Sequence, residues 1–345
     1  MKKNILIVDD SALMRRVLCD IINQEESFQV TDICRDGLEA YEKLKSQKYD
    51  AVLLDVNMPR MDGLELLEKL QKDRIKATVI MVSSLTTRDA EVTLLAMERG
   101  AIDFVTKPNN AIEAKGQEFK TSLLNVLAAV TNTERRVPMK PTCRPGTAKP
   151  VSGRKIVAIA CSTGGPKALQ SVIPMLPANL NAPVVLVQHM PAGFTKTMAD
   201  RLDEFSKIQV KEAEDGEVLE KGRVYIAPGG KHMEVKKCAD GSHKIRLNEM
   251  PPIGGLRPCA NVTYDSLKDS GYDQIVCVVL TGMGADGTSG IKALANRKPV
   301  YVISQNAQTC VVYGMPKAIV EAGLVDEVVP LTEVAQTITK NVGVQ

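Results

Sequence analysis

The sequence predicts an α/β chain of two doubly wound domains: a five-stranded one at the N terminus, then a mainly parallel one with an antiparallel hairpin region set into it. Three observations predict this. Apolar runs rich in Val and Ile alternate with helical patterns from residue 4 to about 130, the rhythm of strands buried on both faces by crossover helices. Prolines at 138, 141, 145 and 150 interrupt that rhythm, and it resumes at Lys155. With 345 residues, 44% of them hydrophobic, the chain also has apolar material for two cores, since one domain usually takes about 100 to 200 residues.

In chain order, the first domain's strands are expected at Asn4 to Val8, Phe28 to Ile33, Tyr49 to Leu54, Ala77 to Val82 and Ile102 to Thr106. Residues 1–130 form this domain. From 131 to 153 prolines mix with arginines, lysines, threonines and two glycines, and nothing apolar recurs at helix or strand period, so the stretch is expected to be a linker. Residues 154–345 form the second domain, with strands at Lys155 to Ala160, Pro183 to Gln188, Gln274 to Leu280 and Pro299 to Ile303. Between Ile208 and Met250 the apolar spacing shortens and glycines fall at 216, 222, 229, 230 and 241, the signature of an antiparallel hairpin region.

The bulk chemistry excludes several classes. A net charge of +3, from 44 Lys+Arg against 41 Asp+Glu, gives no field that would draw the whole chain onto nucleic acid or a membrane. The start is too quickly acidic for a secretory signal, and no apolar run reaches the roughly 20 residues that span a bilayer. A cytoplasmic protein without direct membrane insertion is expected. The eight cysteines show no Cys-x-x-Cys pair or histidine at ligand spacing, so they are read as reduced thiols rather than a zinc site.

Ligands of an open α/β sheet sit beyond the carboxyl ends of its strands. There the first domain carries Asp9 and Asp10, Asp55, Ser83, and Lys107. Three crowded carboxylates call for a hard cation, and oxygen ligands of this type suit Mg2+. Asp55 would then be the nucleophile toward a phosphoryl group, and Lys107 would hold a phosphate oxygen. With Val8-Asp9-Asp10-Ser11, Leu54-Asp55-Val56-Asn57-Met58-Pro59, Met81-Val82-Ser83-Ser84 and Thr106-Lys107-Pro108, residues 1 to about 130 resemble a response-regulator receiver domain, which has the flavodoxin-like fold. The resemblance implies Mg2+ held by Asp10, Asp55 and the carbonyl of Asn57 with Asp9 assisting. It also implies Ser83 following the phosphate, Phe104 as an aromatic switch, and a histidine kinase of the chemotaxis system as phosphodonor.

In the second domain only three histidines are available to the whole chain, at 189, 232 and 243, and His189 stands just past a strand. Ser162 follows another strand and opens the turn Thr163-Gly164-Gly165-Pro166, while Asp286 lies in Thr281-Gly-Met-Gly-Ala-Asp-Gly287. Ser162 as nucleophile, His189 as base and Asp286 as its orienting acid would make a serine hydrolase. The order Ser, His, Asp and the lack of Gly-x-Ser-x-Gly exclude the α/β-hydrolase template. Gly282-Met-Gly284-Ala-Asp-Gly287 also satisfies the dinucleotide-binding pattern, but the next strand ends in Ser304-Gln305-Asn306 without the acid that would hold a ribose.

Ala160-Cys-Ser162-Thr-Gly-Gly-Pro166, Gln188-His189-Met-Pro-Ala-Gly-Phe-Thr195, Ile226-Ala-Pro-Gly-Gly-Lys-His-Met233, Leu280-Thr-Gly-Met-Gly-Ala-Asp-Gly287 and Val311-Val-Tyr-Gly-Met-Pro316 closely resemble the catalytic domain of the chemotaxis protein-glutamate methylesterases, the CheB family. That resemblance implies the triad, the Met283 amide as oxyanion donor, and the Thr163 hydroxyl lining the site. It implies hydrolysis of glutamate methyl esters, and deamidation of glutamines, on methyl-accepting chemoreceptors. No cofactor is expected for the hydrolysis, and the receiver is expected to cover the crevice until Asp55 is phosphorylated. Cys259-Ala260-Asn261 and Asn306-Ala307 depart from the family pattern. The other classes weighed are a DNA-binding response regulator and a non-catalytic adaptor. Residues 151–345 carry 21 Lys+Arg and 19 Asp+Glu, a difference of +2 that gives DNA little to attract.

Overall fold

The computed structural model describes residues 2–84, 87–108, 116–131 and 152–345, with the backbone only at 87 and 88. The chain divides into two compact units, Met1–Glu134 and Arg135–Gln345. The linker expected at 131–153 falls almost wholly on 132–151, outside the described residues.

The first unit holds strands β1 (Lys3–Val8), β2 (Phe28–Cys34), β3 (Ala51–Asp55), β4 (Val79–Ser83) and β5 (Asp103–Thr106) in the order β2-β1-β3-β4-β5, all parallel. Its helices are α1 (Ala12–Asn23), α2 (Gly37–Ser46), α3 (Gly63–Lys72), α4 (Thr87–Glu98) and α5 (Gln117–Thr131). The unbroken apolar run of β1 has a simple cause, because both faces of the sheet are covered. Ile5 and Ile7 pack with Leu18 and Ile22 of α1 and Leu123 and Leu127 of α5. Leu6 and Val8 pack on the other side with Leu44 of α2 and Leu66 and Leu70 of α3. Asp36 caps α2 by accepting from the Leu38 and Glu39 N–H groups, and Asp62 with Glu65 forms a capping box on α3.

The second unit contains β6 (Lys155–Cys161), β7 (Val184–Gln188), β8 (Gln209–Glu212), β9 (Arg223–Ile226), β12 (Gln274–Val279), β13 (Val300–Gln305) and β14 (Glu327–Val329) in one sheet of order β14-β13-β12-β6-β7-β9-β8. A separate antiparallel pair is formed by β10 (His232–Lys237) and β11 (His243–Asn248). Helices α6 (Gly165–Val172), α7 (Phe194–Phe205), α8 (Ala260–Ser266), α9 (Thr288–Ala295), α10 (Met315–Glu321) and α11 (Val334–Val342) complete it.

The hairpin expected over Ile208 to Met250 is thus confined to β10 and β11. The earlier part of that stretch, β8 and β9, joins the main sheet in parallel, Gln209 opposite Arg223 and Glu212 opposite Ile226. The segment between them runs against the hairpin instead of forming a helix: Leu219 N–H donates to His243 O at 2.8 Å and Ile245 N–H to Glu217 O at 2.8 Å. Short glycine-bounded strands read alike from sequence whichever neighbour they pair with, so spacing alone could not assign these partners. Strand β14 is three residues long, too short for its apolar pattern to mark it in the sequence.

Strand order leads from β6 to β7 on one side and to β12 on the other. The sheet therefore has its topological switch point at the carboxyl end of β6, where an open α/β sheet forms a ligand crevice.

Candidate functional site

At that switch point the registry lines up three chain segments. Cys161 is paired with Gln188 across β6 and β7, and Ala160 with Val279 across β6 and β12. Ser162 and His189 are accordingly the next residues in one row of neighbouring parallel strands. The Ser162 N–H donates to Thr281 O at 3.0 Å, and the His189 N–H to Cys161 O at 3.2 Å. The loop from β12 is tied down beside them. Thr281 N–H donates to Gln305 Oε1 at 2.8 Å, the Thr281 hydroxyl to Thr163 O at 2.9 Å, and Gly282 N–H to Val312 O at 3.0 Å. A Cβ at Gly282 would stand 2.8 Å from the Ser162 Cβ and 2.4 Å from Met315 Sδ, so only glycine lets this loop approach the serine.

Asp286 lies on the other side of the loop, 8% exposed, with its Oδ2 2.8 Å from His189 Nε2. Oδ2 also accepts from Ala260 N–H at 2.6 Å. Oδ1 accepts from Asn261 N–H at 3.0 Å, Gly287 N–H at 2.9 Å and the Cys259 thiol at 3.2 Å. Burial pushes this carboxyl up, but His189 and the donors from Ala260 and Cys259 outweigh it and hold it down at about 2. Burial, then the Asp286 charge, pushes the Cys259 thiol up to about 12, which keeps its donor proton in place.

The departing stretch 259–261 is thereby explained. Cys259 and the two following amides bind the Asp286 carboxylate, and the Asn261 side-chain carbonyl accepts from Gly287 N–H at 3.0 Å and Gly290 N–H at 2.7 Å, capping α9. Sequence reading flagged these positions as unusual without seeing that they hold the acid. Asn306, the other departure, accepts from Thr309 N–H at 3.1 Å and from its hydroxyl at 2.7 Å in a local turn. Thr163 is buried and Met283 is exposed on these loops. Gln188, unnoticed in the sequence, lies directly beneath the serine and histidine main chains.

The first unit presents the second cluster. Asp9, Asp10 and Asp55 each offer a carboxylate oxygen within 4.8 Å of the others. Lys107 Nζ is 2.9 Å from Asp9 Oδ2 and 2.7 Å from Asp55 Oδ2. Arg15, which the sequence reading missed, donates to the carbonyls of Asp9 and Asp10 at 2.7 and 2.9 Å and so fixes that turn. Burial raises Asp55 to about 6, with Lys107 pulling down and Asp9 pushing up. The Ser83 hydroxyl is buried 2.7 Å from that of Thr93, and Asn57 Nδ2 donates to Asp89 Oδ1 at 3.3 Å. Phe104 is half-buried against the α2 and α3 side of the sheet. The set of hard oxygen donors suits a divalent cation such as Mg2+.

Comparison with known proteins gives two family matches, "CheB methylesterase" over residues 157–338 and "Response regulator receiver domain" over residues 5–115. The chain is 44% identical over 348 residues to a Geobacillus kaustophilus protein named protein-glutamate methylesterase/protein-glutamine glutaminase, covering 98% of each. A Bacillus subtilis protein of the same name is 44% identical over 349 residues, covering 97% of each. The crystal structure of the Thermotoga maritima CheB methylesterase catalytic domain aligns with a TM-score of 0.52 and 43% identity, over 55% of this chain and 99% of that one.

Proposed function

The chain belongs to the CheB methylesterase family, with a response-regulator receiver preceding the catalytic domain, and from this we propose that it is a phosphorylation-regulated protein-glutamate methylesterase and protein-glutamine glutaminase of chemotaxis. In this reading Ser162 Oγ attacks the ester carbonyl of a receptor glutamate methyl ester. His189 takes the hydroxyl proton and returns it to the departing methanol, and water then releases the acyl group from Ser162 by the same steps in reverse. Asp286 occupies Nε2 of the ring, so Nδ1 is the nitrogen left for the serine. A carboxylate held at about 2 stays charged throughout and stabilises the imidazolium as it forms. The Met283 amide is assigned to the oxyanion, with the Thr163 hydroxyl lining the same side. A glutamine substrate passes through the same tetrahedral oxyanion and loses ammonia.

The observation that carries this reading is the 2.8 Å contact between His189 and a fivefold-bonded Asp286, beside Ser162 at the sheet's switch point. The receiver is assigned to take a phosphoryl group onto Asp55 from a histidine kinase. Asp9, Asp10, Asp55 and the Asn57 carbonyl would hold Mg2+, which when bound neutralises charge gathering on the phosphoryl oxygens. Lys107 holds one of those oxygens, and Ser83 and Phe104 are the switch residues. Among the described residues no helix is long and apolar enough to cross a membrane, and the site of action proposed is the cytoplasmic part of methyl-accepting chemoreceptors.

The test is methanol release from methylated receptor, with and without a small phosphodonor and Mg2+. Release should rise with the phosphodonor, vanish in Ser162→Ala, and in Asp55→Asn persist at the basal rate without responding. Release surviving in Ser162→Ala overturns the hydrolytic assignment, and an unchanged response in Asp55→Asn overturns the regulatory one.

A further inference from the structure

We infer that Gln188 is a positioning residue of the hydrolytic centre, its side-chain amide locking the main chains of the nucleophile and the base into one fixed relation. The inference rests on the reading of Ser162 and His189 given above. Gln188 ends β7 and is 2% exposed. Its Nε2 donates to Ser162 O at 3.1 Å and to His189 O at 3.1 Å. Both amide hydrogens are spent on carbonyls, which fixes the orientation of the group, because a flipped amide would set oxygen against two oxygens.

What remains is costly. Gln188 Oε1 is buried and has no hydrogen-bond partner among the described residues, and a buried carbonyl oxygen left unmatched is destabilising. An apolar side chain of the same length would avoid that cost, so packing does not account for an amide here. The chain also makes room for it: a Cβ at Gly165 would stand 1.9 Å from Gln188 Oε1. Gly165 N–H in turn donates to Ser162 O at 2.6 Å, so that one carbonyl takes two donors and its peptide plane is set. Across a trans peptide the next N–H points the opposite way, so the Thr163 N–H is aimed by the same two bonds. The strand register ends at Cys161 and Gln188, and past it the main chain adds only one N–H bond from each reacting residue, Ser162 to Thr281 O and His189 to Cys161 O. Beyond the sheet edge the side-chain amide continues that alignment through the two residues that react.

The test compares full-length Gln188→Met and Gln188→Glu, both near-isosteric. Met supplies no donor, whereas a buried Glu facing two carbonyls stays protonated and restores one. The readouts are kcat and KM for methanol release, and the rate at which a fluorophosphonate labels Ser162, normalised to folded protein. Lost positioning should lower kcat and labelling in Q188M by about 10- to 100-fold with KM nearly unchanged, with Q188E between it and wild type. A packing role gives the reverse order, Q188E worse than Q188M, and that order overturns the inference, as does wild-type labelling in Q188M. If neither variant folds, Gly165→Ala, which displaces the amide head while leaving Gln188 in place, must show the same kcat loss; unchanged kcat there overturns the inference. Should wild type resist the label, or Ser162→Ala keep its activity, the nucleophile assignment fails instead.

Discussion

Asp286 is ionised because its neighbours, more than its exposure, decide the matter. Five donors converge on it, and one of them is a thiol. Cys259→Ser should keep methanol release within a few-fold of wild type, since a hydroxyl is an equal or better donor. Cys259→Ala removes one bond to a charged acceptor, worth about 1.5–3 kcal/mol, and should lower both the unfolding midpoint and kcat. Equal activity in the two variants would show the thiol bond to be idle. At Asp55 the balance is opposite, because burial raises the carboxyl to about 6. Between an unfolded value near 4 and that folded value, the native state binds more protons than the unfolded chain. Stability contributed by this group is therefore lost as pH rises through the window. Without divalent cation, Asp55→Asn should stabilise the receiver at pH 7 by about 1–3 kcal/mol, a gain that shrinks toward pH 4; urea unfolding across pH checks it. Sequence was informative here about identity: strand-end acids and Ser162, His189 and Asp286 stand out by residue type. Gln188 and Arg15 do not, because an amide or guanidinium bonded to main chain resembles any polar surface residue until its partner is known.

Among the elements, the hairpin β10–β11 carries a buried histidine at each end, His232 opposite Asn248 and His243 opposite Lys237. His243 Nε2 accepts from Gly271 N–H at 2.8 Å, and its ring stacks on Tyr272 with centroids 4.1 Å apart. An accepting Nε2 requires the neutral ring. Burial, with Arg154, Lys237 and Lys298 nearby, holds its proton affinity below the ordinary value. The folded state thus resists a proton that the unfolded chain takes up near pH 6.5, and stability falls as pH drops through that value. The unfolding midpoint of the second unit should decline more steeply between pH 7.5 and 5.5 in wild type than in His243→Gln, and parallel slopes would refute this. The long buried strands were legible because their apolar runs have no other explanation. The pairing of β8, β9 and the hairpin was not, since register there depends on bonds such as Leu219 to His243 between stretches of similar composition.

For the whole molecule, the residues proposed for hydrolysis all lie in the second unit and those proposed to accept the phosphoryl group in the first. A fragment of residues 152–345 should therefore hydrolyse receptor methyl esters, with a rate indifferent to a phosphodonor, whereas the intact chain responds. A fragment that is folded yet inert would place an essential group outside it. Two-domain organisation could be read directly, from the break in rhythm and the two motif sets, because each unit closes its own core.

The sheet order β12-β6-β7 has a consequence for how the protein comes off the ribosome. Asp286 follows His189 by 97 positions, and the strand that delivers it must slot in beside one made long before. A nascent chain interrupted between Ser162 and that strand already owns the first unit and the proposed nucleophile, but not the proposed acid. Translation thus completes the proposed phosphoryl-accepting unit before the proposed hydrolytic centre.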